Sequence, residues 1–422
     1  MYQYNFHIPS ADNKDSCLFL RQIQTRVKLN PCGASIVASL CQENFPILHS
    51  RLRVFIGAFL LSLAPSPLTV FQMSLIFMSI TTSDPAAIPL SQALTQAIAK
   101  RAAFLKQAET QDTDCYRVFH GTVEGCNGLN IDRYGNAWLI QTFHQSLTQE
   151  ELDDIRQQLE QLAPLPVIYN DRSDKNSRVL NHLSEELQSF ATSEQQMQEN
   201  GIQFTSKLRH EGQDPLLFLD MRIGREYVAA NSQDKSVLNL FSYTCGIGTA
   251  AAVGGAKRVV NVDFSSFALA AGRKNAALNQ AEDVCEFIQS DAFPALRQLA
   301  GLKVGGRRNQ KLPSYPKLSA TEFDLVFLDP PRYAKSPFGI VDLVNDYQSL
   351  FKPALLTTKA GGTIVCCNNV AKVDRNAWFD SLVRCVEKQG RSVTQVTWLD
   401  CHNDFPSFDG NHPLKIVALQ LS

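Results

Sequence analysis

The chain has little with which to hold a metal. Its eleven cysteines and eight histidines contain no Cys-x-x-Cys and no Cys/His spacing of the zinc-site kind, so no metal is expected. No convincing secretion signal is present, and the cysteines read as reduced thiols of a cytosolic protein. No internal repeat is visible, which sets aside solenoids and propellers. No apolar run is long enough to span a bilayer. Phe55–Leu63 and Leu68–Ile80 are apolar, but Pro65 and Pro67 divide them, and neither half reaches the roughly 20 residues a membrane helix needs. No membrane association is expected. Charge of one sign is not in excess either, the formal net being -1 over 422 residues. That balance hides an asymmetry: residues 1–80 carry +3, residues 81–200 carry -8 and residues 201–422 carry +4. A nucleic acid would meet the last half more readily than the middle. What remains is a chain with 44% hydrophobic and 19% charged residues, ordinary for a soluble protein and long enough for two or three domains.

Residues 1–85 are the least readable. Three readings stand for the apolar runs: a buried core piece, a weak membrane anchor, or a stretch outside the native product. Met73 and Met78 stand where the pattern becomes regular, and the reading adopted is a reading frame extended upstream. Residues 86–200 suggest a small α+β domain on the RNA or substrate side. Leu90–Lys106 has helical spacing, with Lys100, Arg101 and Lys106 expected on the wet side. Residues 114–144 alternate apolar runs with Glu124-Gly125, Asn127-Gly128 and Tyr134-Gly135-Asn136, which predicts an antiparallel meander. A polar helix over Thr148–Leu162 and a strand at Pro166–Tyr169 follow. Asp171-Arg172-Ser173-Asp174 reads as a solvated turn, His182 has no visible partner, and the acidic stretch 185–199 reads as a linker or exposed helix face.

From Gly201 to the end, strands alternate with helical segments. Strands are expected at Ser236–Ser242, Arg258–Asp263, Val284–Gln289, Phe323–Leu328, Gly362–Cys367, Ser392–Leu399 and Leu414–Leu421. Helices are expected from near Thr249 and over Phe267–Asn279. This pattern predicts an α/β fold with a doubly wound, seven-stranded sheet and right-handed crossovers. Ligands of such folds bind beyond the carboxyl ends of the strands. Four features cluster there: Ser242-Tyr243-Thr244-Cys245-Gly246-Ile247-Gly248, Asp263-Phe264, Asp291-Ala292 and Asp329-Pro330-Pro331. A glycine turn admits a ligand close to the backbone, and an acid ending the second strand can accept from ribose hydroxyls. Asp291 can accept from an adenine amine, and two prolines hold Asp329 rigidly at the crevice. Gly246, Gly248 and Ala251 also satisfy a dinucleotide fingerprint, so the glycines alone leave a dehydrogenase open. The Ser-Tyr-Thr-Cys insertion before the first glycine and the fourth acid fit S-adenosylmethionine better.

At this point the sequence resembles the bacterial 23S ribosomal RNA methyltransferases of the large-subunit methyltransferase I type. It is similar also to the guanine-N7 half of the fused K/L type. The matching pieces are YRVFHGTVEGCNGLNIDRYGN (116–136), LFLDMR (217–222), LNLFSYTCGIG (238–248), VVNVDFS (259–265) and DLVFLDPPR (324–332). The resemblance implies a class I, Rossmann-like methyltransferase domain over 201–422 acting on 23S ribosomal RNA. It implies that Ser242, Tyr243, Thr244, Cys245 and Gly246 hold the methionine end of the cofactor. Asp263 with Phe264 would hold the ribose side, Asp291 with Ala292 the adenine side, and Asp329 would lie beside the transferring methyl. Phe218–Arg222 would cover the cofactor. Type I relatives carry an RNA-binding PUA domain at the N-terminus, which residues 1–85 do not resemble.

The acceptor atom is less legible. Attack from cytosine C5 needs a cysteine adduct at C6, for which Cys367 is the candidate, about two residues early in register. Guanine N7 has its own lone pair and needs only positioning. Guanine-N7 relatives carry Ser-Asn-Asn here, which Cys367-Asn368-Asn369 matches, so N7 is the preferred expectation. A packing role for Cys367, and for Cys245, is the plain alternative. Substrate contacts are expected from Arg332 and Lys335, after the Asp-Pro-Pro, and from the acid-free loop holding Lys303, Arg307, Arg308, Lys311, Tyr315 and Lys317. A non-catalytic RNA-binding factor with the same fold and a homodimer both remain open.

Overall fold

The computed structural model describes residues 88–173, 183–209, 215–305 and 312–422. The apolar runs before residue 81, His182, and the loop cations Arg307, Arg308 and Lys311 fall outside the described residues. Residues Ala87–Ser422 form one compact unit.

Its first part is a four-stranded sheet of β1 (Cys115–His120), β2 (Leu129–Tyr134), β3 (Ala137–Thr142) and β4 (Val167–Asp171), in that order. The first three form the expected meander, and β4 joins β3 in parallel. One face packs on the helices Leu90–Lys100 and Gln149–Leu162 through Leu94, Val118, Ile131, Trp138, Ile155 and Leu159. Thr148 caps the second helix in a reciprocal box with Glu151, the acid three positions on that such a cap requires. The helix expected over 90–106 instead breaks at Arg101, where a second helix, Ala102–Thr110, begins. Arg101 is not on the wet side: it is 2% exposed, bound to Glu124 at 2.6 and 3.1 Å. Helical spacing places a residue on a face but cannot see an acid arriving from another element.

A hairpin of β5 (Gln195–Glu199) and β6 (Ile202–Ser206) leads into the large sheet. The acidic stretch expected as a linker or exposed helix face is a helix over Glu185–Thr192 and then ends in this paired strand. Its last residue, Glu199, is buried against Arg225 at 2.6 and 2.7 Å.

The large sheet contains β7 (Ser236–Leu240), β8 (Arg258–Asp263), β9 (Cys285–Gln289) and β10 (Phe323–Leu328). A short hairpin, β11 (Tyr333–Lys335) with β12 (Ile340–Asp342), leaves the tip of β10. The sheet is completed by β13 (Thr358–Asn368), β14 (Val393–Leu399) and β15 (Lys415–Leu421). The order is β14-β15-β13-β10-β7-β8-β9, with β15 antiparallel to both neighbours. Side chains alternate between the two faces. Val326 and Leu328 join one core with Leu296, Phe351 and Leu382, while Leu325 and Phe327 join another with Val228, Ile247 and Ala251. The expected α/β, Rossmann-like architecture is thus present, with strand limits within a few residues of those expected. The chain winds outward from β7 through β9, then returns to the other side at β10. That reversal opens a crevice at the carboxyl ends of β7 and β10.

Candidate active site

The segment after β7 is unusual backbone. Phe241, Tyr243 and Cys245 all adopt positive φ, at 57°, 47° and 61°. Such conformations cost on the order of 1–3 kcal/mol each and persist only where surroundings over-determine them. Here they are pinned from three sides. Ser242 N donates to Val262 O (3.0 Å), Tyr243 N to Asp263 Oδ2 (2.9 Å) and Asn275 Nδ2 to Thr244 O (2.9 Å). The helix that follows, Gly246–Val253, starts three residues earlier than expected. At Gly248 any Cβ would collide with the Asn261 side chain, so glycine lets this helix close onto β8. Cys245 turns its buried thiol against Gly272. Ser242 and Thr244 are likewise buried, and Tyr243 is partly exposed.

Asp263 ends β8 with both oxygens engaged, accepting from Tyr243 N and from Ser265 N at 2.8 Å. Each oxygen keeps a second lone pair for a ligand hydroxyl. Burial raises its pKa, and these amide bonds oppose the rise. Phe264 beside it is 75% exposed, a free ring at the crevice edge. Asp291 caps the helix Ala292–Leu299 by accepting from Phe293 N at 2.8 Å, and Ala292 is buried beneath it. Capping alone is a sufficient structural reason for an acid there.

Asp329 stands at the tip of β10, partly exposed. Burial first, then the nearby carboxylate of Asp220, pushes its pKa up to about 7, while a hydrogen bond with the Cys367 thiol works the other way. Burial and the Asp329 charge hold the fully buried Cys367 thiol well above its ordinary range. Asn368 is spent on structure, its amide donating to Leu343 O (3.2 Å) and accepting from Val370 N (3.0 Å), whereas Asn369 is exposed. Arg332 and Lys335 are exposed on the β11–β12 side, the Lys335 ammonium 5.6 Å from the Tyr333 ring. Tyr315 is engaged edge-on with Phe338 at 5.6 Å, under the Lys317 ammonium. Asp171 closes its own turn, accepting from Thr142, Ser146 and Ser173.

A cover, Leu216–Arg222, packs on the turn that follows β7. The Leu216 carbonyl accepts from Thr244 Oγ1, the Leu217 carbonyl from Tyr134 (3.2 Å) and the Phe218 carbonyl from Arg225 (2.9 Å), while the Phe218 ring tilts on Tyr243 at 5.3 Å. This cover carries Asp220, a site acid that the sequence reading named only as part of a segment.

Acids thus stand at the carboxyl ends of β8 and β10 and just past β9, and Asp220 lies near enough to Asp329 to raise its pKa. Such a donor set repels a pyrophosphate and suits a nucleoside bearing a positive charge, which fits S-adenosylmethionine and not a dinucleotide. Among the described residues no group of three or more His, Cys, Asp or Glu is placed to hold a metal. Nor is any described helix long and apolar enough to cross a membrane.

Comparison with known proteins agrees with this geometry. The large-subunit ribosomal RNA methyltransferase K/L of Alteromonas mediterranea is 33% identical over 300 residues, covering 68% of this chain and 39% of that protein. The chain thus spans about two fifths of that relative's length. The large-subunit methyltransferase I of Vibrio vulnificus is 28% identical over 299 residues, covering 69% of this chain and 70% of the relative. A counterpart from Deinococcus radiodurans is 29% identical over 346 residues, covering 78% of each. Among solved structures, a methyltransferase from Streptococcus mutans shares the fold with a TM-score of 0.60 at 22% identity, over 78% of this chain and 80% of that one. The sequence profile of the S-adenosylmethionine-dependent methyltransferases runs from residue 116 to 420, through both sheets and every acid just described, and the chain belongs to that family.

Proposed function

We propose that this methyltransferase modifies a guanine N7 in large-subunit ribosomal RNA, without a covalent enzyme–base adduct. The relatives named above are ribosomal RNA methyltransferases, which supports the substrate class. The observation that carries the atom is the setting of Cys367. A cysteine that adds to cytosine must ionise readily, yet this thiol is buried and faces the carboxylates of Asp329 and Asp220. N7 attack makes no such demand. When bound, S-adenosylmethionine supplies a methyl on a sulfonium: the N7 lone pair forms the N–C bond, the C–S pair leaves on sulfur, and no proton is exchanged. In this reading Asn369, which is exposed at the end of β13, orients the base, and the exposed Arg332 and Lys335 hold a phosphate.

One observation favours cytosine C5 as a second reading: Cys367 does touch Asp329. The two separate cleanly. Nucleoside mass spectrometry of ribosomal RNA from a deletion strain should show 7-methylguanosine missing, and complementation with Cys367→Ala should restore it. Loss of 5-methylcytidine instead, with no rescue by that variant, establishes the covalent route.

A further inference from the structure

Two segments with exposed lysines flank β10 in the chain, the acid-free loop before it and the β11–β12 hairpin after it. We propose that together they form a stacking shelf for unpaired RNA, with Tyr333 and Tyr315 as its two base platforms. It rests on the reading above that the acceptor is RNA, and names the kind: a segment whose bases are free of pairing.

The shelf is built from three elements. The strand β11 begins at Tyr333, past Asp329-Pro330-Pro331-Arg332, and Ala334 turns inward to pack on the core. Tyr333 and Lys335, on either side of Ala334, therefore face outward. Both are exposed, Tyr333 by 47%. The hairpin turn is fixed, Ser336 Oγ accepting from Phe338 N and from Gly339 N, each at 3.2 Å. A Cβ on Gly339 would stand 2.8 Å from the Phe293 ring, so the turn sits directly on the helix Ala292–Leu299. That helix also holds the second platform. Gln298 donates to Pro316 O (3.1 Å) and accepts from Leu318 N (3.2 Å), which clamps the loop carrying Tyr315 and Lys317. Tyr315 then meets Phe338 edge-on at 5.6 Å, joining loop to hairpin.

Each tyrosine carries its own cation. The Lys317 ammonium lies 4.1 Å from the Tyr315 ring centroid, and the Lys335 ammonium 5.6 Å from that of Tyr333. A ring beside an ammonium offers a base its stacking partner and the adjoining phosphate its counter-charge. The surrounding sequence agrees in sign, since residues 292–321 contain six lysines and arginines and no acid. A paired base has its faces taken by neighbours in the helical stack, so only an unpaired one can lie on such a ring. On duplex RNA the tyrosines would have nothing to stack on, and the ammonium groups alone would bind.

Anisotropy titrations of the full chain, without cofactor, test this with a labelled RNA of about 12 nucleotides, alone and annealed to its complement. The single strand should bind about tenfold tighter than the duplex at equal salt. Tyr333→Ala should cost the single strand about tenfold and the duplex less than about twofold, while Tyr333→Phe keeps the wild-type values. With 2-aminopurine in the strand, binding should quench its fluorescence, and Tyr333→Ala should remove that quenching. Charge alone cannot produce this pattern, because the alanine variant keeps every cation. Equal wild-type affinity for strand and duplex would overturn the proposal, with no variant needed. A Tyr333→Ala protein that binds and quenches as the wild type does would overturn it too, and would leave the rings to a protein partner. Nucleoside mass spectrometry keeps the two readings apart. A methyl lost in the deletion strain while strand and duplex bind alike sinks the shelf and not the methylation; a strand preference with no methyl lost does the reverse.

Discussion

At the scale of single residues, Asp329 carries a charge that its surroundings oppose. In an unfolded chain a free Asp titrates near 3.9, whereas here it is pushed up to about 7. Its folded value is raised, so its contribution is fully present below about pH 4 and is lost as pH rises through 7. Above that, the folded state carries a charge it disfavours. Asp329→Asn should therefore raise Tm at pH 8 by about 3–6 °C while leaving Tm near pH 4 unchanged, and should abolish methyl transfer. Scanning calorimetry at the two pH values checks it; an equal change at both would refute the linkage. Residue identity was legible where chemistry is local. Asp263 and Asp329 each end an apolar run and Asp291 stands just past a third strand, a pattern visible in the sequence. Asp220 was not, because its meaning comes from a fold-back onto β10 that no local pattern encodes. Arg101 misled for the same reason, its partner Glu124 arriving from another element.

At the scale of elements, the loop between β14 and β15 holds the cover in place. Asp404 is fully buried there, accepting from Arg222 at 3.1 and 3.3 Å and from the Arg117 amide at 3.2 Å, while its carbonyl accepts from Arg101 at 3.1 Å. One residue thus ties three parts together, its carboxylate holding β1 and the cover and its backbone carbonyl the first helix pair. Removing one partner of a buried ion pair typically costs about 3–5 kcal/mol, because the other charge is left uncompensated. Asp404→Ala should lose about 3 kcal/mol or more in urea unfolding and should also weaken cofactor binding; a stable variant with normal cofactor affinity would show the loop to be incidental. Period-2 runs revealed most of the strands, but not that the last one inserts antiparallel between the two before it. Pairing partners are decided by distant surfaces, which a strand's own residues do not specify.

At the scale of the whole molecule, charge is distributed by task. Acids stand at or just past the ends of β8, β9 and β10, while Arg332 and Lys335, soon after Asp329 in the chain, are exposed. A sequence-independent grip on a phosphate chain shows itself in its salt dependence. The double variant Arg332→Ala, Lys335→Ala should bind a ribosomal RNA fragment more weakly at every sequence and should reduce the slope of log affinity against log salt by about 1–2, with cofactor affinity unaffected. An unchanged slope would place the RNA elsewhere.

The buried link from Glu199 to Arg225 carries a practical corollary for anyone dissecting this protein. Two guanidinium groups, Arg222 and Arg225, are 3% and 2% exposed and draw their counter-ion from a hairpin that sequence composition assigns to the preceding region. A cut between 200 and 201 would strip Arg225 of its carboxylate partner and leave Arg222 with Asp404 alone. The catalytic half, cut out by itself, inherits a debt that only its upstream neighbour can settle.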